Sequence, residues 1–152
     1  MKYWEDFRIG ERAELGSHTF SEEEIVAFGR EYDPQPFHTD ADKAKHSGFG
    51  GLIASGWQTC AVGMRLMVEG YISQTVSLGS PGIDNIRWLK PVRPGDILHF
   101  RSECIEKTAS RSKPDRGVAK FKVTVMNQRD EPVMTVTTIG MYRRKPDDAA
   151  TG

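Results

Sequence analysis

Residues 55–71 constrain the fold more than any other stretch. Trp57, Cys60, Ala61, Met64, Met67, Val68 and Tyr71 fall at offsets 0, 3, 4, 7, 10, 11 and 14, the spacing of one helical stripe. Ser55 with Gln58 three residues on reads as a capping box at the start, and Gly70 as a stop. Ala54, Val62 and Leu66 add apolar residues off the stripe, so the helix is expected to be buried over most of its circumference. Beyond this helix the chain reads only as strands, over 83–90, 96–106, 117–127 and 132–142. Leu98, Phe100 and Cys104 alternate with His99, Arg101 and Glu103, and Ala119, Phe121, Val123 and Val125 alternate with charged or hydroxyl residues. Strands without helices between them imply antiparallel pairs. The fold class is therefore α+β, with a curved antiparallel sheet wrapped around a long central helix. A sheet covered on one face leaves its other face and its edges to be covered, which predicts a homodimer or a higher homo-oligomer.

The first third prepares this unit. Residues 13–20 read as a strand. Ser21 and Glu24 form a capping box, and Ile25, Phe28 and Tyr32 come after it at helical spacing. Pro34 disfavours helical geometry at Asp33 and should end the helix there. The stretch Asp33-Pro34-Gln35-Pro36-Phe37-His38 is then expected to be a stiff, non-helical loop, with Thr39 and Asp42 capping a short helix that runs out by Gly48.

Composition narrows the function. The chain has 152 residues and a net charge of zero, which points to one domain over 1–142 with a disordered tail over 143–152, and away from a general nucleic-acid binder. Charge is uneven, however: residues 1–50 carry eleven acids and six bases, residues 85–122 ten bases and four acids. A basic half on a neutral protein suits a compact anionic ligand. No apolar run spans a membrane, and the N-terminal stretch has acids where a signal peptide needs an apolar core. Cys60 and Cys104 lack metal-like spacing, and His18, His46 and His99 suggest no ligand set. A cytoplasmic protein with free thiols and no metal is expected.

Three stretches carry a family resemblance that covers about residues 3–142: Asp33-Pro34-Gln35-Pro36-Phe37-His38 followed by Ala44, Phe49-Gly50-Gly51-Leu52-Ile53-Ala54-Ser55-Gly56, and Trp88-Leu89-Lys90-Pro91-Val92-Arg93-Pro94-Gly95-Asp96. The chain resembles the MaoC-like hydratases, which include the R-specific enoyl-CoA hydratases and have the hotdog fold. It departs from the usual pattern at Gln35, where asparagine is usual, at Phe37, where an aliphatic residue is usual, and at Met64, where some bacterial relatives carry a serine.

The resemblance implies reversible addition of water to a trans-2-enoyl-CoA, with Asp33 and His38 as the pair that handles the water. A carboxylate and an imidazole near one water can take one proton from it and deliver another to C2. His38 is assigned to the water and Asp33 to C2. Ser55 as cap leaves Gly56 and Trp57 in the first helical turn, whose free N–H groups can hold charge on the thioester oxygen, and the family places its oxyanion donor at Gly56. No cofactor is needed beyond the CoA of the substrate. Its phosphates call for basic residues, and Lys90, Arg93, Arg111 and Lys113 are the candidates. Ser55 and Trp57 are expected beside the substrate, although Trp57, Met64 and Met67 also fit plain core packing. A thioesterase would need a carboxylate near the central helix, where only Glu69 lies, at the far end. A non-catalytic acyl-CoA binder or regulatory subunit is the other alternative, and it gives no reason for the Asp33–His38 pair.

Overall fold

The computed structural model describes residues 1–146. Its elements are β1 (Arg12–Thr19), α1 (Glu22–Tyr32), α2 (Pro36–Thr39), α3 (Ala41–Lys45), α4 (Gly56–Gly70), β2 (Gly82–Trp88), β3 (Ile97–Ala109), β4 (Arg116–Met126) and β5 (Pro132–Arg143). The strands form one antiparallel sheet in the order β1-β3-β4-β5-β2. No helix among the described residues is long and apolar enough to cross a membrane. Of the residues expected in a tail over 143–152, Arg143 closes β5 and Arg144 Nε donates to Glu5 at 2.9 Å. Residues 147–152 lie outside the described residues.

Local signals explain much of this. Ser21 Oγ accepts from Glu24 N, and the Glu24 carboxylate accepts from Ser21 N, so the first capping box forms as expected. The other two differ. Asp40, not Thr39, caps α3 by accepting from the N–H groups of Asp42 and Lys43, while Thr39 Oγ donates to Gln35 O. Ser55 caps α4 through Trp57 N, and the side chain of Gln58 does not return to it; Gln58 Oε1 is buried without a hydrogen-bond partner.

The α+β class with an antiparallel sheet is observed, but the curved sheet wrapped around a central helix is not. The sheet is open, with β1 and β2 as its edges, and it covers one side of α4 only. Thr59, Gly63, Leu66 and Met67 are buried, whereas Trp57, Met64 and Val68 are exposed. Enclosure would require further strands over the flank that carries Met64 and Val68, and among the described residues the sheet ends at β2. Gly63 explains the close packing on the covered side, since a Cβ there would stand 3.1 Å from Phe100 Cε1. The apolar stripe expected from spacing is thus divided: one flank enters the core and the other stays outside.

The sheet alternates as expected. Leu98, Phe100, Cys104, Ala119, Phe121, Val123 and Val125 face inward and are buried. The outward face carries ion pairs, Arg12 with Glu103, Arg101 with Glu14 and Lys120 with Glu106. In the single chain that face is charged along β1, β3 and β4.

Candidate active site

The site is built where α1, α2, the 49–55 segment and the start of α4 converge. Asp33 caps α1 with its N–H on Gly29 O, 2.9 Å away, and Pro34 prevents a further turn. Pro36 then starts α2 at a position that needs no N–H donor. The expected non-helical loop therefore ends at Gln35, and His38 sits on a helical turn instead. This turn aims the imidazole inward, and His38 is only 5% exposed.

Buried polar groups need partners, and His38 has two. Its Nδ1 lies 2.7 Å from Ile53 O, and its Nε2 lies 3.1 Å from Asp33 Oδ2. A carbonyl only accepts, so Nδ1 carries a proton. The contact between Nε2 and Oδ2 is then attractive only when one further proton lies between them. A proton at that contact can sit on either atom. Asp33 is held from its other side by Gln35 Nε2, 2.8 Å from Oδ1, and by the Ser55 hydroxyl. Burial raises the Asp33 carboxyl, but the hydrogen bonds from Gln35, Ser55 and His38 and the charge of His38 outweigh it and leave the carboxyl below the usual carboxylate range.

Gly29 is the residue that sequence reasoning missed. A Cβ there would stand 2.7 Å from His38 O and 2.9 Å from His38 Cβ. Only glycine lets α1 and α2 cross so closely, and the crossing sets the position of His38. A glycine inside an otherwise regular helical stripe, four residues before Asp33, was the available signal.

A cleft of about 280 Å³ opens beside the pair, lined by His38, Phe37, Phe49, Gly56, Trp88 and Lys90 among others. Gly56 is the first residue of α4. The N–H of Trp57 is taken by Ser55 Oγ at 3.3 Å, so of the two first-turn donors expected to be free, only Gly56 remains. A Cβ on Gly56 would collide with the Trp88 indole, so that ring and the Gly56 backbone form one wall of the cleft. Ser55 is fully buried behind it, turned to Asp33 and to its own helix.

The other expected site residues are placed unevenly. Trp57 lies outside the cleft, 56% exposed, with its ring edge-to-face on Trp88 at 5.3 Å. Lys90 stands on the cleft wall in an ion pair with Glu131; hydrogen bonds from Lys90, Arg129 and Asn127 lower the Glu131 carboxyl to about 2. Arg93 donates to Phe49 O and so ties down the 49–55 segment. Arg111 and Lys113 are not brought to the cleft. Their hairpin joins β3 to β4 beside Arg143, at the opposite end of β5 from Val133. The two ends are ten residues apart along β5, about 30 Å at roughly 3.3 Å per residue. Sequence proximity within a basic segment gave no information on which end of a strand each base occupies.

With the geometry in hand, comparison with known proteins is specific. The family model described as MaoC like domain matches residues 6–127. A solved MaoC-like dehydratase from Rhodospirillum rubrum is similar at 38% identity and TM-score 0.85, over 96% of this chain and 99% of that one. A solved protein from Archaeoglobus fulgius described as a monoamine oxidase regulatory protein is similar at 32% identity and TM-score 0.87, over 95% and 96%. The unliganded R-hydratase PhaJ1 from Pseudomonas aeruginosa shares the fold at 24% identity and TM-score 0.73, over 94% and 86%.

Proposed function

The chain belongs to the MaoC-like domain family, and from that premise we propose that it is a hydro-lyase acting on acyl-CoA thioesters. It adds water reversibly to a trans-2-enoyl-CoA and gives an (R)-3-hydroxyacyl-CoA. The observation that carries this reading is the 3.1 Å contact between His38 Nε2 and Asp33 Oδ2, with His38 on the wall of a cleft that Gly56 also lines.

The chemistry balances on that pair. When an enoyl thioester covers the cleft, water leaves, and a neutral imidazole beside a carboxylic acid is favoured over two charges. His38 Nε2 then takes a proton from the attacking water as its oxygen bonds to C3. Asp33 delivers its own proton to C2. The proton gained on Nε2 passes to Oδ2 and restores the pair. Charge that builds on the thioester oxygen during the attack is held by the Gly56 N–H at the positive end of α4. Ser55 and Gln35 act as positioning residues that fix the carboxyl. Lys90, with Arg93 behind it, meets the CoA phosphates. The Arg111–Lys113 hairpin is too distant to serve the cleft of its own chain.

Two copies form the working unit. Trp57, Met64 and Val68 on α4, with Ile83, Trp88 and Leu89 on and beside the edge strand β2, form an exposed apolar surface. A second copy covers it by pairing there. Sedimentation showing a stable monomer at micromolar concentration would count against this assembly.

A regulatory reading has one support, the description of the Archaeoglobus relative as a regulatory protein. Mixing the protein with crotonyl-CoA separates the readings. A hydratase removes the enoyl absorbance, a thioesterase releases free thiol, and a binding protein does neither.

A further inference from the structure

Two hollows lie along the same side of α4. The first is the active-site cleft, whose inner end meets Thr59, Trp88 and Val133. The second, about 160 Å³ and mostly apolar, lies by the last turns of α4, between Met64, Met67, Ile83 and Thr138. In the antiparallel pair β2–β5, Trp88 faces Met134 and Ile83 faces Thr138. The two hollows are therefore successive stretches of one groove between α4 and this edge of the sheet.

Three side chains from three elements stand between them in the order of their elements: Cys60 falls between Thr59 and Met64 on α4, Met134 between Val133 and Thr138 on β5, and Trp88 lines the first hollow from β2. Trp88 on β2 and Cys60 on α4 share a side-chain hydrogen bond, in which the indole N–H is the donor. The Cys60 thiol in turn donates to Met134 Sδ at 3.7 Å, and Met134, on β5, is 2% exposed. Burial pushes the Cys60 thiol up, so it stays protonated and keeps donating.

We infer that the Cys60–Met134 contact, flanked by Trp88, closes the acyl subsite and restricts the protein to short enoyl thioesters of about four to six carbons. The identity of the ligand rests on the hydratase reading; the length limit rests on that contact. Cys60 lies four residues beyond Gly56, about 6 Å along α4 at roughly 1.5 Å per residue. An extended chain advances about 1.2 Å per bond, so a thioester carbonyl at Gly56 leaves room for about five bonds. The second hollow is the space that a longer chain would enter if that contact were removed.

The test uses the full chain and saturated acyl-CoAs from butyryl- to dodecanoyl-CoA, with affinity measured by calorimetry. Each newly buried methylene should strengthen binding about fourfold, so the expected curve rises to about six carbons and then flattens. In Met134→Ala the break should move to longer chains by at least two carbons. Should Met134→Ala fail to fold, Cys60→Ala at the half-buried position carries the same expectation. Affinity that climbs steadily to dodecanoyl-CoA in the wild type overturns the inference. So does a break that stays in place in a folded variant. A break that moves as expected in a protein unable to hydrate crotonyl-CoA would leave the length limit standing and remove only the hydratase reading.

Discussion

The two ends of the sheet bury their side chains for different reasons. At the end near Val133, burial encloses polar groups: His38, Ser55 and part of Asp33, each satisfied by a backbone carbonyl, a hydroxyl or an amide. At the other end a second core of Phe7, Cys104, Ala119, Phe121 and Tyr142 is almost wholly apolar. Phe7 meets Phe121 edge-on at 5.4 Å, and Trp4 lies under the Lys107 ammonium at 4.4 Å. A buried polar group contributes little net stability but becomes costly when its partner is lost; buried aromatic surface stabilises in proportion to its area. On the proposed function the first end carries the chemistry, and the second supplies much of the frame. Function and stability should therefore be separable by mutation.

The largest expected effect is at the polar end. Asp33→Asn and His38→Ala should each reduce turnover on crotonyl-CoA by roughly 10²–10⁴, and the double variant should be little worse than either, because the two side chains act on one shared proton. Circular dichroism should show both folded. A folded Asp33→Asn protein with near-full activity would break the contrast.

Next comes the apolar end. Phe121→Ala should cost about 3–5 kcal/mol of stability, the range for a buried aromatic, read as a lowered urea midpoint. Activity per folded molecule should hardly change, since Phe121 lies on the far cluster. Loss of turnover in the fraction that remains folded would show the ends to be coupled.

A smaller effect separates the two basic groups. Lys90→Glu should raise KM for an acyl-CoA roughly tenfold with little change in turnover, as expected when a charged contact binds ground and transition states alike. Reversal of Arg111 and Lys113 together should change KM by less than about twofold. The opposite ranking would mean that the phosphates are met at the far end of a neighbouring copy.

The smallest effect is a pH dependence. The Asp33 carboxyl is lowered in the folded chain from its ordinary value of 3.8. The stability it contributes is therefore complete above that value and disappears as pH falls through the lowered folded one. On acidification below about pH 5, the gap between the urea midpoints of wild type and Asp33→Asn should close. A gap that widens on acidification would contradict the hydrogen bonds assigned to Asp33.

Much of this was legible in the sequence because it depends on short-range rules. Ser21 and Glu24 are three residues apart, and a capping box needs nothing else. Pro34 ends α1 by a clash with its own neighbour. Alternation over residues 117–127 specifies which side chains of β4 face inward, since the strand period is two. The motif around Asp33 and His38 drew attention to the pair that the fold brings to 3.1 Å.

The remainder was decided by partners distant in the sequence. Both flanks of α4 are apolar, so periodicity could not say which would be buried. The choice fell to Phe100 and its neighbours on the sheet, which accept the Gly63 side and leave Met64 and Val68 outside. The expectation of a sheet wrapped around the helix failed for the same reason: an apolar flank invites cover, but this sheet ends at β2 and stays open. Gly29 reads only as a helical residue of low propensity until His38 is placed against it, and the Trp88 ring that packs on Gly56 is likewise brought there by the fold. Arg111 and Lys113 belong to a basic segment in the chain, yet antiparallel pairing carries them to the end opposite the cleft. Torsional preference and capping act over a few residues and are written locally. Which of two apolar faces is buried, and which bases meet a cleft, depends on the competition of distant strands for the same helix, and only the assembled fold settles that competition.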